Sequence, residues 1–316
     1  MGNIGNIFKT ISKNGFSGAI KAWVRYKLGI TDIERQNESL YYLLNNSIDI
    51  TKIPKTNDYD LRMLQKCDLV LLAIVDKLFN DAGITYWLDY GTLLGAIRHR
   101  GFIPWDDDID ISVSRNDYNN IHELLGRKIE GLGLKLECGN GLEIRSLMVS
   151  YLKEQTGVWV DIFPVDQYST IDGLENARPY FQSLVAEYRN YYWKNIDNPD
   201  TDFSKFKTEV FKKLPKGNRD YIIHTMETWV GNTGLFIHFP EDIYPIRKCQ
   251  FEDFSFSIPA NPNKYIEGIY GGDYMSFPRI ANNTHGCSAP LSKRAKQNGI
   301  DMNEVYNKLL EIYQSL

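Results

Sequence analysis

The sequence predicts a fold that combines helices and strands in one large domain, and three observations indicate this class. The chain has 316 residues, of which 43% are hydrophobic, so it can bury a sizeable core. Short apolar segments of strand length lie between amphipathic segments that follow the helical period. No internal repeat or low-complexity segment interrupts this order, which favours a single domain with an elaboration over a repeat protein.

The first part of the fold begins with the clearest predicted helix, at residues 59–82. Its apolar side chains return near the 3.6-residue period, and Gly83 follows as a stop signal. Four short elements are predicted next along the chain: a strand at 85–90, a helix at 92–99, a strand at 109–113 and a helix at 118–125. A turn at Gly91 separates the first of these strands from the helix that follows it.

The second part contains another apolar strand and most of the remaining helix. Residues 158–163 are apolar except for Asp161, and Pro164 is expected to close this strand. Residues 172–230 are predicted to be mostly helical and are rich in tyrosine and lysine. Residues 244–259 return to an extended pattern.

Three regions are predicted along the chain. Residues 1–55 form an N-terminal segment and linker, residues 56–290 form the main domain, and residues 291–316 contain a C-terminal helix. That helix is expected to begin at Met302, with Asp301 as its N-cap.

The first 31 residues form a basic segment with apolar residues at roughly helical spacing. Such a segment can lie on an anionic membrane surface, or it can pack as a broken helix against the rest of the protein. Neither a secretory signal nor a membrane-spanning apolar run is visible in the sequence. We therefore predict a cytoplasmic protein. Peripheral contact of residues 1–31 with the cytoplasmic face of the membrane is one of the two alternatives for that segment, and packing against the rest of the protein is the other.

The charge and the cysteines exclude some classes of partner. A net charge of −4 argues against a general nucleic-acid binder, which would carry a basic excess. None of the four cysteines forms a C-x-x-C pair, and His285 with Cys287 supplies only two zinc ligands, so we predict structural or free thiols. This cysteine usage suits a reducing compartment.

Four aspartates crowd into five positions after the apolar residues 102–105: Asp106, Asp107, Asp108 and Asp110. Because side chains alternate faces along a strand, Asp108 and Asp110 are expected on one face, joined by Asp106, while Asp107 faces away. Unpaired carboxylates this close repel one another. A divalent cation would remove that repulsion, and oxygen ligands favour Mg²⁺ or Mn²⁺. The alternative is a solvated acidic loop or an ion pair with a nearby arginine.

Gly91 and Thr92 lie upstream, where the predicted strand turns into a helix. The N-terminus of a helix presents N–H groups that can cradle a phosphate, glycine permits close approach, and the threonine hydroxyl adds a donor. Alone, this turn is an ordinary helix cap. Followed by Asp-x-Asp and by Asp161 on a later strand, it predicts a phosphate site facing a metal-binding cluster, as phosphoryl or nucleotidyl transfer requires.

The arrangement resembles the nucleotidyltransferase superfamily pattern, with Thr92 where Gly or Ser is usual. More closely, the segment GTLLGAIRHRGFIPWDDDIDI resembles the signature of the LicD family, the phosphocholine transferases related to fukutin and the fukutin-related protein. The segment VDIFPVD, residues 160–166, resembles that family's next block, and residues 258–278, with His285 soon after, resemble its later block. The resemblance covers residues 60–290 approximately.

This resemblance implies an α+β fold of the nucleotidyltransferase type, a polymerase-β-like mixed sheet flanked by helices, with a helical insertion and a C-terminal elaboration. It also implies a phosphotransferase that moves a phospho-alcohol from a CDP-activated donor to a hydroxyl of a cell-surface glycan or its lipid-linked precursor, releasing CMP. Bacterial members of the family attach phosphocholine to teichoic acid or lipopolysaccharide, and the animal relatives transfer ribitol phosphate. CDP-choline is therefore our first choice of donor, with CDP-ribitol and CDP-glycerol as alternatives.

For this reaction the predicted catalytic residues are Asp108, Asp110 and Asp161. Asp108 and Asp110 bind one or two Mg²⁺ or Mn²⁺ ions, Asp106 is a further ligand, and Asp161 completes the cluster or takes the proton of the attacking hydroxyl. Gly91 and Thr92 hold the diphosphate.

The remaining predicted substrate contacts are a guanidinium, several aromatic rings and a histidine. Arg98 would present its guanidinium fork to a phosphate, unless it pairs with a neighbouring aspartate. A choline cation would require an aromatic cage. The candidates for that cage are Trp105, Trp87, Tyr90 and Trp159 near the motif, with Tyr270 and Tyr274 in the later block. His285 is either a phosphate or acceptor contact or a packed histidine.

Three other functions stay open at this point. A glycosyltransferase also holds its metal and nucleotide sugar with Asp-x-Asp, although the upstream turn and Asp161 favour the first hypothesis. An enzyme that forms a CDP-alcohol would release pyrophosphate in place of CMP. A scaffold in a surface-polymer assembly complex would be expected to lack one of the acids.

Overall fold

The computed structural model describes residues 29–138, 147–198, 200–224, 234–278 and 293–316. The chain divides into two units, of which the first comprises Met1–Lys52 with Met275–Gly286 and the second Ile53–Tyr274 with Cys287–Leu316.

The described part of the first unit is mainly a helix. Helix α1 spans Ile30–Ser47, and a 3₁₀ turn spans Ile50–Lys52. The amide of Phe277 donates to Asn45 Oδ1 at 2.7 Å. The predicted linker did not include this helix. Residues 1–28, which contain most of the basic segment, lie outside the described residues.

Seven strands of the second unit form one mixed sheet. They are Tyr86–Leu88 (β1), Asp110–Ser114 (β2), Lys135–Cys138 (β3), Leu147–Tyr151 (β4), Val158–Thr170 (β5), Arg219–His224 (β6) and Ile237–His238 (β7). The order is β1-β2-β5-β4-β3, with β6 paired to the distal part of β5 and β7 paired to β6. Strands β2 and β5 run parallel, and the other pairs of this sheet are antiparallel.

Helices and one hairpin complete the second unit. The helices are Tyr59–Ala82 (α2), Tyr90–His99 (α3), Arg115–Gly131 (α4), Lys153–Thr156 (α5), Leu174–Asn195 (α6), Phe203–Phe211 (α7), Pro240–Ile243 (α8), Pro262–Tyr270 (α9), Arg294–Gln297 (α10) and Met302–Ser315 (α11). The hairpin strands are Arg247–Phe251 (β8) and Phe254–Ile258 (β9). The predicted mixed sheet with flanking helices is confirmed. Among the described helices, none contains an apolar stretch long enough to cross a bilayer.

Helix α2 supplies much of the main core, and its bounds agree with the prediction. The Asp58 side chain caps it by accepting from the amide of Leu61, and Gly83 ends it in the left-handed conformation at φ 70°. The helix packs against α11 and β5 and buries residues such as Leu71 and Ile74 completely. Burial of each such side chain contributes about 1.5–3 kcal/mol. A second, smaller cluster of buried residues lies between α6, α7 and β6.

Pro164 lies inside β5, so the prediction that it closes the strand is wrong. The amide of Asp161 donates to Ile109 O on the β2 side, and the backbone nitrogen of Pro164, three residues later, therefore faces the opposite edge. On that edge β5 pairs with β4 up to Ile162 and with β6 from Val165 onward. Pro164 occupies the gap between these pairings, where the sheet needs no donor.

The predicted helical insertion is correct for α6 and α7 but extends too far. Residues Arg219–His224 form strand β6, which pairs with β5 from Val165 to Thr170. Their apolar run Tyr-Ile-Ile is typical of a strand, and the exposed edge of β5 supplies its partner. The stretch beyond position 224 up to 230 lies outside the described residues.

Candidate active site

Two aspartates from neighbouring strands lie side by side at the centre of the sheet. Asp110 begins β2, and in the parallel ladder it pairs in register with Asp161 of β5. The amide of Asp161 donates to Ile109 O at 2.8 Å, which fixes this register. Trp159 Nε1 donates to Asp161 Oδ2 at 2.8 Å and holds that carboxylate in one orientation.

The other acidic residues lie on the loop that precedes β2. Asp106, Asp107 and Asp108 each place one carboxylate oxygen within 4.8 Å of the others. Because β2 begins only at Asp110, strand alternation does not govern these three residues, and the prediction that Asp107 faces away is wrong. The buried Gln65 of α2 donates to the carbonyl of Asp106 at 2.8 Å and anchors the loop.

The electrostatics of the cluster are those of crowded, partly desolvated carboxylates. Burial raises the pKa of Asp110 well above its usual range, and the charges of Asp108 and Asp161 raise it further. Burial likewise raises the pKa of Asp106, and the charges of Asp108 and Asp107 add to this effect. Both side chains are only half-buried, so a ligand can still reach them. A cation between them would favour the ionised forms.

The residues fit a hard divalent cation. Every donor in the cluster is a carboxylate oxygen, the ligand type that Mg²⁺ and Mn²⁺ prefer. Gly91 makes room for one of these donors, because a Cβ atom there would lie 2.7 Å from Asp106 Oδ2. The glycine is thus needed for the approach of a carboxylate, a reason that differs from the predicted approach of a phosphate.

The turn that carries Gly91 and Thr92 is built by a buried aspartate. Helix α3 begins at Tyr90, two residues earlier than predicted, because the Asp89 side chain accepts from the amide of Tyr90 at 2.7 Å. Tyr90 adopts a positive φ of 41°. Thr92 Oγ1 accepts from the amide of Asp110 at 2.9 Å, so its hydroxyl joins the helix to β2. Among the described residues, no acceptor is found for the amides of Gly91 and Thr92 in this first turn.

Asp89 is the centre of a fully buried polar network. Besides its bond to Tyr90, it accepts hydrogen bonds from the Ser112 hydroxyl and from the Tyr265 hydroxyl at 3.0 Å, and it contacts His224 Nε2 at 2.7 Å. Burial raises the pKa of Asp89, but the charge of His224 and these hydrogen bonds outweigh burial, and the pKa lies below its usual value. The network joins β2, β6 and α9 beneath the turn.

The structure distributes the predicted substrate contacts unevenly. Arg98 is buried; its Nε donates to His99 Nε2 at 2.9 Å and its Nη1 to Tyr274 O at 2.8 Å. Burial lowers the pKa of Arg98 to about 10, and the charge of Asp106 acts in the opposite direction. Arg98 stays a predicted phosphate contact, although two of its donors already act within the protein. His285 lies outside the described residues.

The aromatic candidates separate into core and site residues. Trp87 is fully buried and donates to the Tyr265 hydroxyl, so it belongs to the core. Trp105 is half-buried beside His99, and the Tyr274 side chain packs against the main core. Tyr90 contacts Phe163 and Phe236 with ring centroids 5.3 and 5.9 Å apart, and these three rings are half-buried. Phe163 follows Asp161 by two positions on β5, and it therefore shares its face.

Two further residues lie near the cluster: Asp68, which was not predicted, and Tyr270, which was predicted as an aromatic candidate. Burial raises the pKa of Asp68 well above its usual range, and the charges of Asp108 and Asp107 raise it further; its Oδ1 accepts from the amide of Trp159. Burial also raises the pKa of Tyr270, followed by the charge of Asp110. Because 41% of Tyr270 is exposed, the desolvation concerns its hydroxyl end. No spacing signal marks Asp68.

Asp89 could have been found from the sequence. It is the acid that ends the apolar run Tyr-Trp-Leu directly before the turn, whereas its partner His224 carries no signal of its own.

The sequence is similar to that of known transferases. A family model described as LicD/FKTN/FKRP, nucleotidyltransferase domain, matches residues 83–175. A Haemophilus influenzae protein named lipopolysaccharide cholinephosphotransferase LicD is 52% identical over 255 residues, which cover 68% of this chain and 92% of that protein. The human ribitol 5-phosphate transferase FKRP is 49% identical over 223 residues, 70% of this chain and 34% of that protein. The mouse ribitol-5-phosphate transferase FKTN is 33% identical over 166 residues, 52% of this chain and 33% of that protein.

Proposed function

The chain belongs to the LicD family of transferases, and from this premise we propose that it moves phosphocholine from CDP-choline to a hydroxyl of a cell-surface glycan or its lipid-linked precursor. The observation that carries the proposal is the register of Asp110 with Asp161 beside the Asp106–Asp108 loop and the first turn of α3. The match covers 92% of the Haemophilus influenzae relative, and that relative is named a cholinephosphotransferase.

The transfer requires a nucleophile, a leaving group and a place for one proton. The acceptor hydroxyl attacks the phosphorus that carries choline, the bond from this phosphorus to the oxygen of CMP breaks, and CMP departs. We assign the hydroxyl proton to the carboxylate of Asp161, which the Trp159 indole orients through its hydrogen bond. The amides of Gly91 and Thr92, at the positive end of α3, hold the diphosphate.

Asp106, Asp108, Asp110 and Asp161 would hold one or two Mg²⁺ or Mn²⁺ ions. When bound, the ion neutralises charge on the diphosphate and on departing CMP. The protein contributes the fixed positions of these acids, through Gln65 for the loop and through the β2–β5 ladder for Asp110 and Asp161.

An aromatic group beside the acids favours choline over a polyol. The rings of Tyr90, Phe163 and Phe236 are half-buried near Asp161, and aromatic faces attract a quaternary ammonium that cannot donate a hydrogen bond. A ribitol or glycerol group would gain little from them. The relatives named ribitol phosphate transferases nevertheless make CDP-ribitol and CDP-glycerol the second candidate donors.

The proposed function is tested by offering the purified protein CDP-choline, CDP-ribitol and CDP-glycerol with Mg²⁺ and candidate glycan acceptors. We expect CMP release and a phosphocholine mass increment on the acceptor with CDP-choline, loss of both on chelation, and recovery with Mg²⁺ or Mn²⁺. If CMP is released from CDP-ribitol and not from CDP-choline, the transferred alcohol is a polyol and not choline. Activity that persists after exhaustive chelation would contradict the proposed dependence on a divalent metal ion.

The aromatic group gives a second prediction, on donor selectivity. Replacing Phe163 by leucine keeps an apolar side chain but removes the ring face, so kcat/KM for CDP-choline should fall about 3- to 30-fold, the range of a partly desolvated cation–π contact. Turnover of CDP-ribitol, where detectable, should change less than twofold. Phe254→Leu is the matched control, since Phe254 is also half-buried between rings but lies on the β8–β9 hairpin. Equal losses for both donors would assign Phe163 to packing.

A lipid-linked acceptor would bring the reaction to a membrane surface. Residues 1–31 remain the segment predicted to make that contact, and cytoplasmic location remains a prediction of the same kind. Sedimentation with anionic liposomes, before and after deletion of these residues, distinguishes membrane contact from packing.

A further inference from the structure

Lys153 places a positive charge beside the acidic cluster. Its Nζ lies 2.8 Å from Met148 Sδ and 5.5 Å from the centroid of the Trp159 ring. In the ladder between β4 and β5, Met148 pairs directly with Asp161. Side chains at directly paired positions lie on one face with Cβ atoms about 5 Å apart. The two side chains that the ammonium contacts, Met148 and Trp159, are therefore both neighbours of Asp161.

The backbone directs this lysine toward the site. After β4 the chain turns at Leu152, which adopts φ 49°, a region that a leucine seldom occupies. Thr156 Oγ1 donates within this turn, with the carbonyls of Tyr151 and Leu152 at 2.9 and 3.0 Å. Arg294 Nη1 donates to the carbonyl of Lys153 at 3.3 Å. Strained residues held by their surroundings are concentrated at functional sites.

The partners of the Lys153 ammonium are weak ones for a cation. A thioether is a poor acceptor, and a ring face is worth little compared with a carboxylate. Glu137, whose strand position is opposite Met148, accepts from the Ser150 hydroxyl instead. Within the described ranges, no carboxylate forms an ion pair with Lys153. A half-buried cation without such a partner is unfavourable unless an anion joins it.

We propose that Lys153 binds a phosphate of the donor diphosphate, on the Asp161 side of the cluster. This inference rests on the proposed function, in which the donor is a CDP-alcohol. The cluster itself repels a diphosphate, so the donor needs cations from the protein as well as from bound metal. Lys153, which contacts Met148 and Trp159 next to Asp161, supplies one, while the buried Arg98 donates to His99 and to the carbonyl of Tyr274. Along β5, the phosphate therefore binds toward Trp159, before Asp161, and the alcohol binds toward Phe163, after Asp161, on the same face of the strand.

The test measures binding of CDP and of cytidine, in Mg²⁺, by isothermal titration. Lys153→Met retains the length and apolar character of the side chain, and we expect CDP to bind about tenfold more weakly or worse, the loss typical of a charge-assisted hydrogen bond. Cytidine, which has no phosphate, should bind with unchanged affinity. Lys153→Arg should retain CDP affinity within about threefold. Lys77→Met is the matched control, because Lys77 of α2 also lies over a ring, that of Tyr313 of α11 at 3.9 Å.

A selective loss of more than threefold for CDP supports the proposal. A smaller loss, or equal losses for CDP and cytidine, overturns it. If the wild-type protein binds neither compound, the CDP donor is wrong, and inorganic pyrophosphate with Mg²⁺ becomes the probe. Pyrophosphate binding that is weakened by Lys153→Met would then support a phosphate site at Lys153, although the proposed donor is wrong. Pyrophosphate binding that is unchanged by Lys153→Met, or no binding at all, would contradict the phosphate site as well.

Discussion

Replacing Asp110 by asparagine is expected to abolish transfer while the protein remains folded. The amide keeps the size of the side chain but removes the charge that would bind a divalent ion, and loss of one such preorganised group typically costs 10²–10³ in rate or more. Because the charges of Asp108 and Asp161 raise the pKa of Asp110, removal of its charge also relieves repulsion. The melting temperature without metal should therefore stay equal or rise.

Two measurements on Asp110→Asn separate catalysis from folding. CMP release reports catalysis, and the melting temperature without metal reports folding. The shift of the melting temperature on addition of Mg²⁺ reports ion binding, since an ion that binds only the folded state stabilises it. The wild type should show the shift, and the variant should lose most of it. Asp253→Asn, at an exposed position on the β8–β9 turn, should behave as the wild type in both measurements. Wild-type turnover in Asp110→Asn would remove this carboxylate from the mechanism.

The sequence was informative where a residue type stands out from its local pattern. Acids next to an apolar run marked Asp108, Asp110 and Asp161, and the β2–β5 ladder brings the last two together. The bounds of α2 and α11 followed from periodicity and from their capping residues. The apolar runs, the periodicity and the caps depend on residues close in the sequence, which is why they could be predicted.

What could not be predicted depends on contacts between distant segments. Asp107 joins the other acids because β2 starts later than its apolar residues suggest. Pro164 continues a strand because β4 and β6 leave a gap on that edge of β5. Lys153 reaches the site through a strained turn at Leu152 and a strand pairing that no spacing encodes.

Asp89 links the fold to the site, and Asp89→Ala is expected to produce the largest loss of stability. The carboxylate accepts from Tyr90, Ser112 and Tyr265 and contacts His224, and it is completely buried. Its removal leaves these buried polar groups without a hydrogen-bond acceptor and leaves His224 without its carboxylate partner. Breaking such a buried pair typically lowers the free energy of unfolding by about 3–5 kcal/mol.

The matched control for Asp89→Ala is Asp202→Ala, measured by urea denaturation. Asp202 also caps a helix, α7, but it is exposed, and within the described residues its side chain accepts only from the amide of Lys205 at 2.7 Å. Loss of an ordinary cap lowers the free energy of unfolding by about 0.5–2 kcal/mol. The difference between the two variants isolates the buried network from the cap. Equal losses would show that the contacts to Ser112, His224 and Tyr265 add nothing. The amide of Asp89 also donates to Asp110 O at 3.0 Å, so Asp89 is joined to the candidate site as well as to the core. The Asp89→Asn variant keeps the shape of the side chain. If the network positions the first turn of α3, this variant should lose transfer activity to a greater extent than it loses stability.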